Sequence, residues 1–119
     1  MSDPRAWPTE LRLAADKKTL NVAFDSGETF ALAAEYLRVE SPSAEVQGHG
    51  GDQKLIVPGK RDVRITDIEP VGNYAVRLRF DDGHDTGLYS WDYLHELGAE
   101  HGQKWPVYLA ALKTRRLER

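Results

Sequence analysis

A chain of 119 residues and 13.4 kDa has room for one domain and not for two of ordinary size. With no Cys it excludes disulfides, thiolate metal sites and cysteine nucleophiles, and it suits a reducing compartment. The balance of 16 Lys and Arg against 19 Asp and Glu, a net charge of −3, lacks the basic footprint of a nucleic-acid binder, and 40% hydrophobic residues exclude a disordered chain.

Residues 1–10 carry Asp3, Arg5 and two prolines where a signal peptide would have an apolar core, and no apolar run approaches the roughly 18 residues a membrane helix needs. A cytoplasmic protein with no membrane partner is expected. The segment 1–10, with Pro4 and Pro8 flanking Trp7, reads as an extended arm. Residues 11–100 read as the domain, and 101–119 as a C-terminal helix packed on it or trailing it.

From Leu11 the apolar residues alternate. Leu11 and Leu13, then Leu20, Val22 and Phe24, then Phe30 and Leu32 after the turn Asp25-Ser26-Gly27 predict a β-meander. Ala33 to Val39 changes to helix formers anchored by Tyr36 and Leu37. Ser41 to Lys60 has no sustained period and holds Pro42, Gly48, Gly50, Gly51, Pro58 and Gly59, so it reads as a long irregular connection of the kind that often carries function. Val63 and Ile65, the turn Pro70 to Asn73, and Val76, Leu78 and Phe80 predict a hairpin. After Asp82-Gly83 a further strand runs toward Tyr89, and Ser90 caps a helix bearing Trp91, Leu94 and Leu97 that is expected to stop at Gly98. Pro106 signals the first turn of a last helix carrying Trp105, Tyr108, Leu109 and Leu112, with Lys113, Arg115, Arg116 and Arg119 at its basic end.

The halves echo each other. Phe24, Asp25, Gly27 and Leu32 recur 56 positions later as Phe80, Asp81, Gly83 and Leu88, and Tyr36-Leu37 recurs 57 later as Tyr93-Leu94. A duplication and a shared hairpin grammar both account for it. Either way the fold class is α+β, a mainly antiparallel sheet of two β-hairpin/helix units with a C-terminal helix.

None of His49, His84, His95 and His101 has an acid two residues later, which excludes the facial triad of a non-haem iron oxygenase, and His95-Glu96 is not followed by the second histidine of a zinc protease. The glycines around His49 fit neither a dinucleotide fingerprint nor a P-loop, since Gln53 and Arg61 stand where those motifs need glycine and Ser or Thr. No Gly-x-Ser-x-Gly elbow surrounds any serine. The densest polar cluster, Asp81-Asp82-Gly83-His84-Asp85, reads as a hard-cation or proton-transfer site, or as a turn with a solvated histidine at its exit. Arg64, Arg77 and Arg79 read as solvated strand residues, because an RNA-binding sheet would interleave aromatics there.

The runs Glu35-Tyr36-Leu37-Arg38-Val39-Glu40-Ser41-Pro42-Ser43-Ala44-Glu45-Val46, Gly59-Lys60-Arg61, Ile68-Glu69-Pro70-Val71-Gly72-Asn73-Tyr74 and Phe80-Asp81-Asp82-Gly83-His84-Asp85-Thr86-Gly87-Leu88-Tyr89-Ser90-Trp91-Asp92-Tyr93-Leu94 together resemble a small bacterial domain of unknown function, the DUF971 family. That family is similar to the N-terminal domain of γ-butyrobetaine hydroxylase, and the resemblance spans about Leu11 to Gly98. It implies a small α+β fold. In the hydroxylase this domain resembles a zinc module built on Cys-x-Cys-x-x-Cys and a distant His, with the oxygenase chemistry in another domain. The resemblance puts Ser41, Ser43 and Val46 at the cysteine positions and keeps His84, so the zinc is not expected here and no cofactor is assigned. Related domains occur beside iron-sulfur cluster carriers, which implies an unknown protein partner, an iron-sulfur carrier or an oxygenase, and no nucleic acid. The expected function is a non-catalytic protein-interaction domain, its surface formed where the long loop, with His49 and Arg61, meets Asp82, His84 and Trp91. Two alternatives stand beside it: a metal-binding module using His84, His49 and nearby aspartates, and a small enzyme with His84 as general base.

Overall fold

A computed structural model describes residues 6–47 and 54–119. Among these, the chain forms β1 (Pro8–Leu13), β2 (Thr19–Phe24), β3 (Thr29–Ala33), α1 (Ala34–Val39), α2 (Ala44–Gln47), β4 (Ile65–Val71), β5 (Ala75–Phe80), β6 (Leu88–Ser90), α3 (Trp91–Ala99) and α4 (His101–Thr114). The fold is the expected α+β arrangement of two antiparallel strand-and-helix units with a C-terminal helix, each unit contributing its own three-stranded sheet, β1-β2-β3 and β4-β5-β6. The alternation of β2 and β5 turns Leu20, Val22 and Phe24, and Val76, Leu78 and Phe80, into one core, which Tyr36 and Leu37 of α1 and Leu94 and Leu97 of α3 complete. A smaller cluster of Val39, Tyr108 and Leu112 seats α4 on Ile56 and Val57 of the long connection. No helix among the described residues is long and apolar enough to cross a membrane.

The echo is structural, not only sequential. Both units close their tight turn alike, Phe24 N–H on Glu28 O at 2.8 Å and Phe80 N–H on His84 O at 3.0 Å. Gly27 and Gly83 supply the left-handed residue in each, at φ +94° and +90°. Asp25 N–H meets Trp7 O at 2.9 Å, as Asp81 N–H meets Arg64 O at 2.9 Å, and Ala34 N–H meets Lys18 O at 2.8 Å, as Trp91 N–H meets Tyr74 O at 3.1 Å. Even the register shift recurs, between Pro8 and Glu10 in β1 and between Ile65 and Asp67 in β4. Each unit is thus a β-β-β-α module, and the two interlock reciprocally. Tyr36 of α1 donates its hydroxyl to Leu97 O of α3 at 2.6 Å, while Tyr93 of α3 donates to Glu40 O just past α1. Reciprocal contacts of this kind characterise an approximate two-fold interface, here between the halves of one chain.

Several expectations shift. Strand β1 begins at Pro8, inside the segment read as an arm, because Pro8 pairs with Phe24 at the register shift. The partner of Leu32 in the echo is Tyr89 rather than Leu88: Leu32 pairs with Leu20 and Tyr89 with Val76, so Tyr89 is buried and Leu88 faces solvent. One residue inserted after the second turn moves the strand by one step, which reverses its faces. Gly98 does not end α3, which runs to Ala99; a Cβ on Gly98 would collide with the Phe30 ring, so close approach and not capping requires glycine there. Helix α4 starts at His101, with Lys104 N–H already bonded to Glu100 O, so Pro106 lies inside the helix. A proline there removes one helical bond, to the carbonyl of the exposed Gly102, which water can serve. The irregular connection contains the short helical turn α2.

Candidate functional site

The second unit's turn docks on the exit of α1. The two residues after the helix leave helical geometry, and Ser41, 0% exposed, places its Oγ 2.8 Å from Nε2 of His84, itself 7% exposed. Two residues further along each segment, Ser43 Oγ lies 2.8 Å from Thr86 Oγ1. Thr86 must donate to the Glu45 carboxylate, 2.7 Å away, so Ser43 donates to Thr86. The loop leaving α1 is therefore stitched to the segment before β6 by hydroxyl and imidazole groups.

Asp82 clamps the same region from the side. Its Oδ2 accepts from Arg38 Nε and Lys60 Nζ, each at 2.7 Å, and its Oδ1 accepts the backbone N–H of His84 at 3.0 Å. Burial alone would raise this carboxyl, but Lys60, the His84 amide and Arg38 outweigh it and hold the group at about 2. For His84, burial first and then the charge of Arg38 push the imidazole below its ordinary value, against the pull of Glu45, Asp82 and Asp85. His84 is thus a buried, neutral cross-link and not the solvated turn residue that one sequence reading offered.

The two-fold relation shows why this spot is polar. Phe30 and Gly98 of one interface correspond to Gly87 and Ser41 of the other. In the first, the Phe30 ring covers Gly98; in the second, a Cβ on Gly87 would meet Ser41 Oγ at 2.6 Å. The fold fills this position with an aromatic ring on one side and leaves it to Ser41 and His84 on the other.

Of the residues singled out from sequence, His84 and Asp82 meet through the His84 amide, and Arg61 joins Asp82 in the wall of an open cavity of about 450 Å³ with Lys60, Asp62, Asp81 and Arg119. His49 lies outside the described residues. Trp91 stands apart: it is held by Asn73 and Tyr74, before β5, whereas Asp82 follows β5. At roughly 3.3 Å per strand residue the two lie on the order of 20 Å apart. Arg38, Lys60, Glu45, Thr86 and Gly87 were not singled out, and only the alignment of Phe30 with Gly87 in the echo could have flagged one of them. Arg77 and Arg79 are not simply solvated; Arg77 pairs with Glu69 and Arg79 reaches Asp67, Glu69 and Asp85 across the strands.

The residues present do not fit zinc. Ser41 and Ser43 offer hydroxyls already engaged with His84 and Thr86, Val46 is a buried alkyl group, and tetrahedral zinc takes thiolate, imidazole or carboxylate. Among the described residues no group of three or more His, Cys, Asp or Glu is placed to hold a metal ion. A serine and a histidine in contact also define the start of a nucleophilic pair. Ser41, however, has no exposed surface, and the Asp82 carboxylate engages the His84 backbone and two cations instead of orienting its ring.

The matched model is that of the family described as γ-butyrobetaine hydroxylase-like, N-terminal, over residues 11–95. Two solution NMR structures are similar to the chain: one at 44% identity with a TM-score of 0.83, covering 97% of this chain and 90% of the other, and one at 46% identity with the same TM-score, covering 100% and 90%. A crystal structure of a DUF971 protein of unknown function from Acidithiobacillus ferrooxidans matches at 42% identity and a TM-score of 0.69, covering 83% of this chain and 100% of that one. No curated protein matches. A family model spanning most of the chain and three similar structures above 40% identity agree with the resemblance read from the α1 exit and the Asp82 turn: the chain belongs to the γ-butyrobetaine hydroxylase-like N-terminal family, DUF971.

Proposed function

We propose that this chain is a non-catalytic cytoplasmic accessory domain whose zinc position has been replaced by a hydroxyl–imidazole cross-link, and that it works by binding a protein partner. The observation that carries the reading is the Ser41–His84 hydrogen bond, closed off from solvent and flanked by the Arg38–Asp82–Lys60 clamp. These groups hold two segments in place; they do not present a nucleophile to a substrate. What they hold up is the charged cavity of Lys60, Arg61, Asp62 and Asp81, a polar rim of the sort that steers and registers a partner. An iron-sulfur carrier or an oxygenase is the partner that the family's company favours.

The test is affinity capture from lysate of the native host, comparing the wild type with Arg61→Glu, each checked for an unchanged fold by circular dichroism. Arg61 is exposed and outside the core, so reversing its charge alters the surface and not the fold. An iron-sulfur protein or oxygenase enriched at least several-fold by the wild type and lost with Arg61→Glu is expected. Identical captures from the two proteins would sink the reading.

A further inference from the structure

The first unit holds an arginine at the start of its helix. Glu35, the second residue of α1 and 6% exposed, accepts from Arg119 through both oxygens, at 3.0 Å from Nε and 2.7 Å from Nη2. The same guanidinium lies 5.6 Å over the Trp105 ring. A carboxylate on the first helical turn, next to an aromatic face, is thus already used in this molecule to bind a guanidinium.

Asp92 of α3 is the two-fold counterpart of Glu35. Beside it opens a separate cavity of about 330 Å³ lined by Trp7, Asn73, Tyr74, Ser90, Trp91 and Asp92. Three aromatic side chains flank one carboxylate, and two of them are open to solvent, Trp7 at 48% and Tyr74 at 56%. The fold does not demand them. At the two-fold-related positions stand Arg64 of the second unit and Lys18 and Ala34 of the first, and the backbone hydrogen bonds of Trp7, Tyr74 and Trp91 are made there just as well. Trp91 has a structural role: it packs partly against the core, and its indole N–H is used. It donates to Asn73 O at 2.7 Å, whereas the counterpart carbonyl, Lys17 O, takes the backbone N–H of Ile65, whose equivalent Pro8 has none to give. That bond fixes the Trp91 ring in the cavity wall. Tyr74 is fixed as well, since its ring lies over Gly72, where a Cβ would come within 3.0 Å.

We propose that the Trp7–Tyr74–Trp91–Asp92 cavity binds an arginine side chain of a partner polypeptide, repeating between molecules the arrangement that Arg119 makes with Glu35 and Trp105 within one. It is a second surface, at the opposite end of β5 from the Asp82 turn. That the arginine comes from a partner rests on the accessory-domain reading; the chemistry of the cavity does not. Asp92 Oδ1 already accepts the Ala6 backbone N–H at 3.1 Å, so a guanidinium here gains a charge-assisted bond to Asp92 Oδ2 and cation–π contact with the rings, while a lysine gains the charge without the planar stacking.

The experiment is an NMR titration of the full chain, labelled with nitrogen-15, by the blocked tripeptide Gly-Arg-Gly and by its citrulline analogue, which has the same shape and no charge. The expected result is millimolar binding of the arginine peptide that moves the indole N–H signals of Trp7 and Trp91, with the citrulline peptide weaker by roughly fivefold or more. Tyr74→Ala should weaken the arginine peptide about two- to fivefold, and Asp92→Asn at least as much, with the rest of the amide spectrum in place. Equal shifts from the two peptides, no movement of either indole, or indifference to Tyr74→Ala overturns the proposal. An inert cavity alongside a capture that depends on Arg61 sinks this inference alone. Binding of the tripeptide with captures unaffected by Arg61→Glu sinks only the function proposed above.

Discussion

His84 is where a single side chain sets a measurable property of the whole chain. Its imidazole is held below the ordinary 6.5 by burial and by Arg38. The unfolded chain therefore protonates it first, so below about pH 6.5 the unfolded state binds the extra proton and stability falls as pH falls; above that value the contribution is fully present. Urea unfolding should show this decline on acidification. His84→Gln, which keeps a nitrogen near Ser41, should reduce it, and an unchanged pH profile in that variant would contradict the buried neutral imidazole. Asp82 acts in a separate window: its contribution is present above its ordinary 3.8 and lost as pH falls toward about 2. The sequence placed His84 and Asp82 on one turn. The family resemblance brought Ser41 and His84 to one site, but the sequence did not reveal that the Asp82 carboxylate serves the backbone of His84 while the Ser41 hydroxyl serves the ring.

Among the elements, α3 illustrates how a local rule and a tertiary contact can name the same residue for different reasons. Ser90 caps the helix as its sequence implies, its Oγ accepting from Tyr93 N–H at 3.1 Å. Gly98 was read as the C-cap, yet it is an interior position pressed against Phe30. An uncrowded interior glycine and one pressed against Phe30 predict opposite results for Gly98→Ala. In an open helix the change would stabilise by up to about 1 kcal/mol. Against the Phe30 ring it should destabilise by about 1–3 kcal/mol, because the ring must leave its place between Phe24 and His95. A midpoint measured by chemical unfolding decides between them. Strand β6 carries a similar lesson: its pattern is too short to fix which residue faces inward, and the pairing of Tyr89 with Val76 settles it.

Over the whole molecule, the two β-β-β-α units share one core, so neither has an apolar face of its own to keep. The chain should unfold in one transition, with fluorescence and circular dichroism coincident. The reciprocal tyrosines tie the units across that core. Tyr36→Phe and Tyr93→Phe each strip a hydroxyl from a carbonyl of the other unit, and each should lower stability by about 1–3 kcal/mol without changing the single transition. A second transition in either variant would show that the units are separable.

The strands, the tight turns with their glycines and the Ser90 cap are legible in the sequence because alternation, turn chemistry and capping act over a few neighbouring residues, and the recurrence near 56 residues and the family are legible because whole runs of residues match. Only the folded chain shows that the strands split into two sheets, that each turn docks on the other unit's helix, that Ser41 and His84, which the family resemblance brings together, do so as a direct hydrogen bond, and that Arg119 meets Glu35. Those contacts join residues 43 and 84 positions apart. They exist only once the shared core has closed, and no local pattern encodes which of several equally suitable partners the closed chain brings within reach.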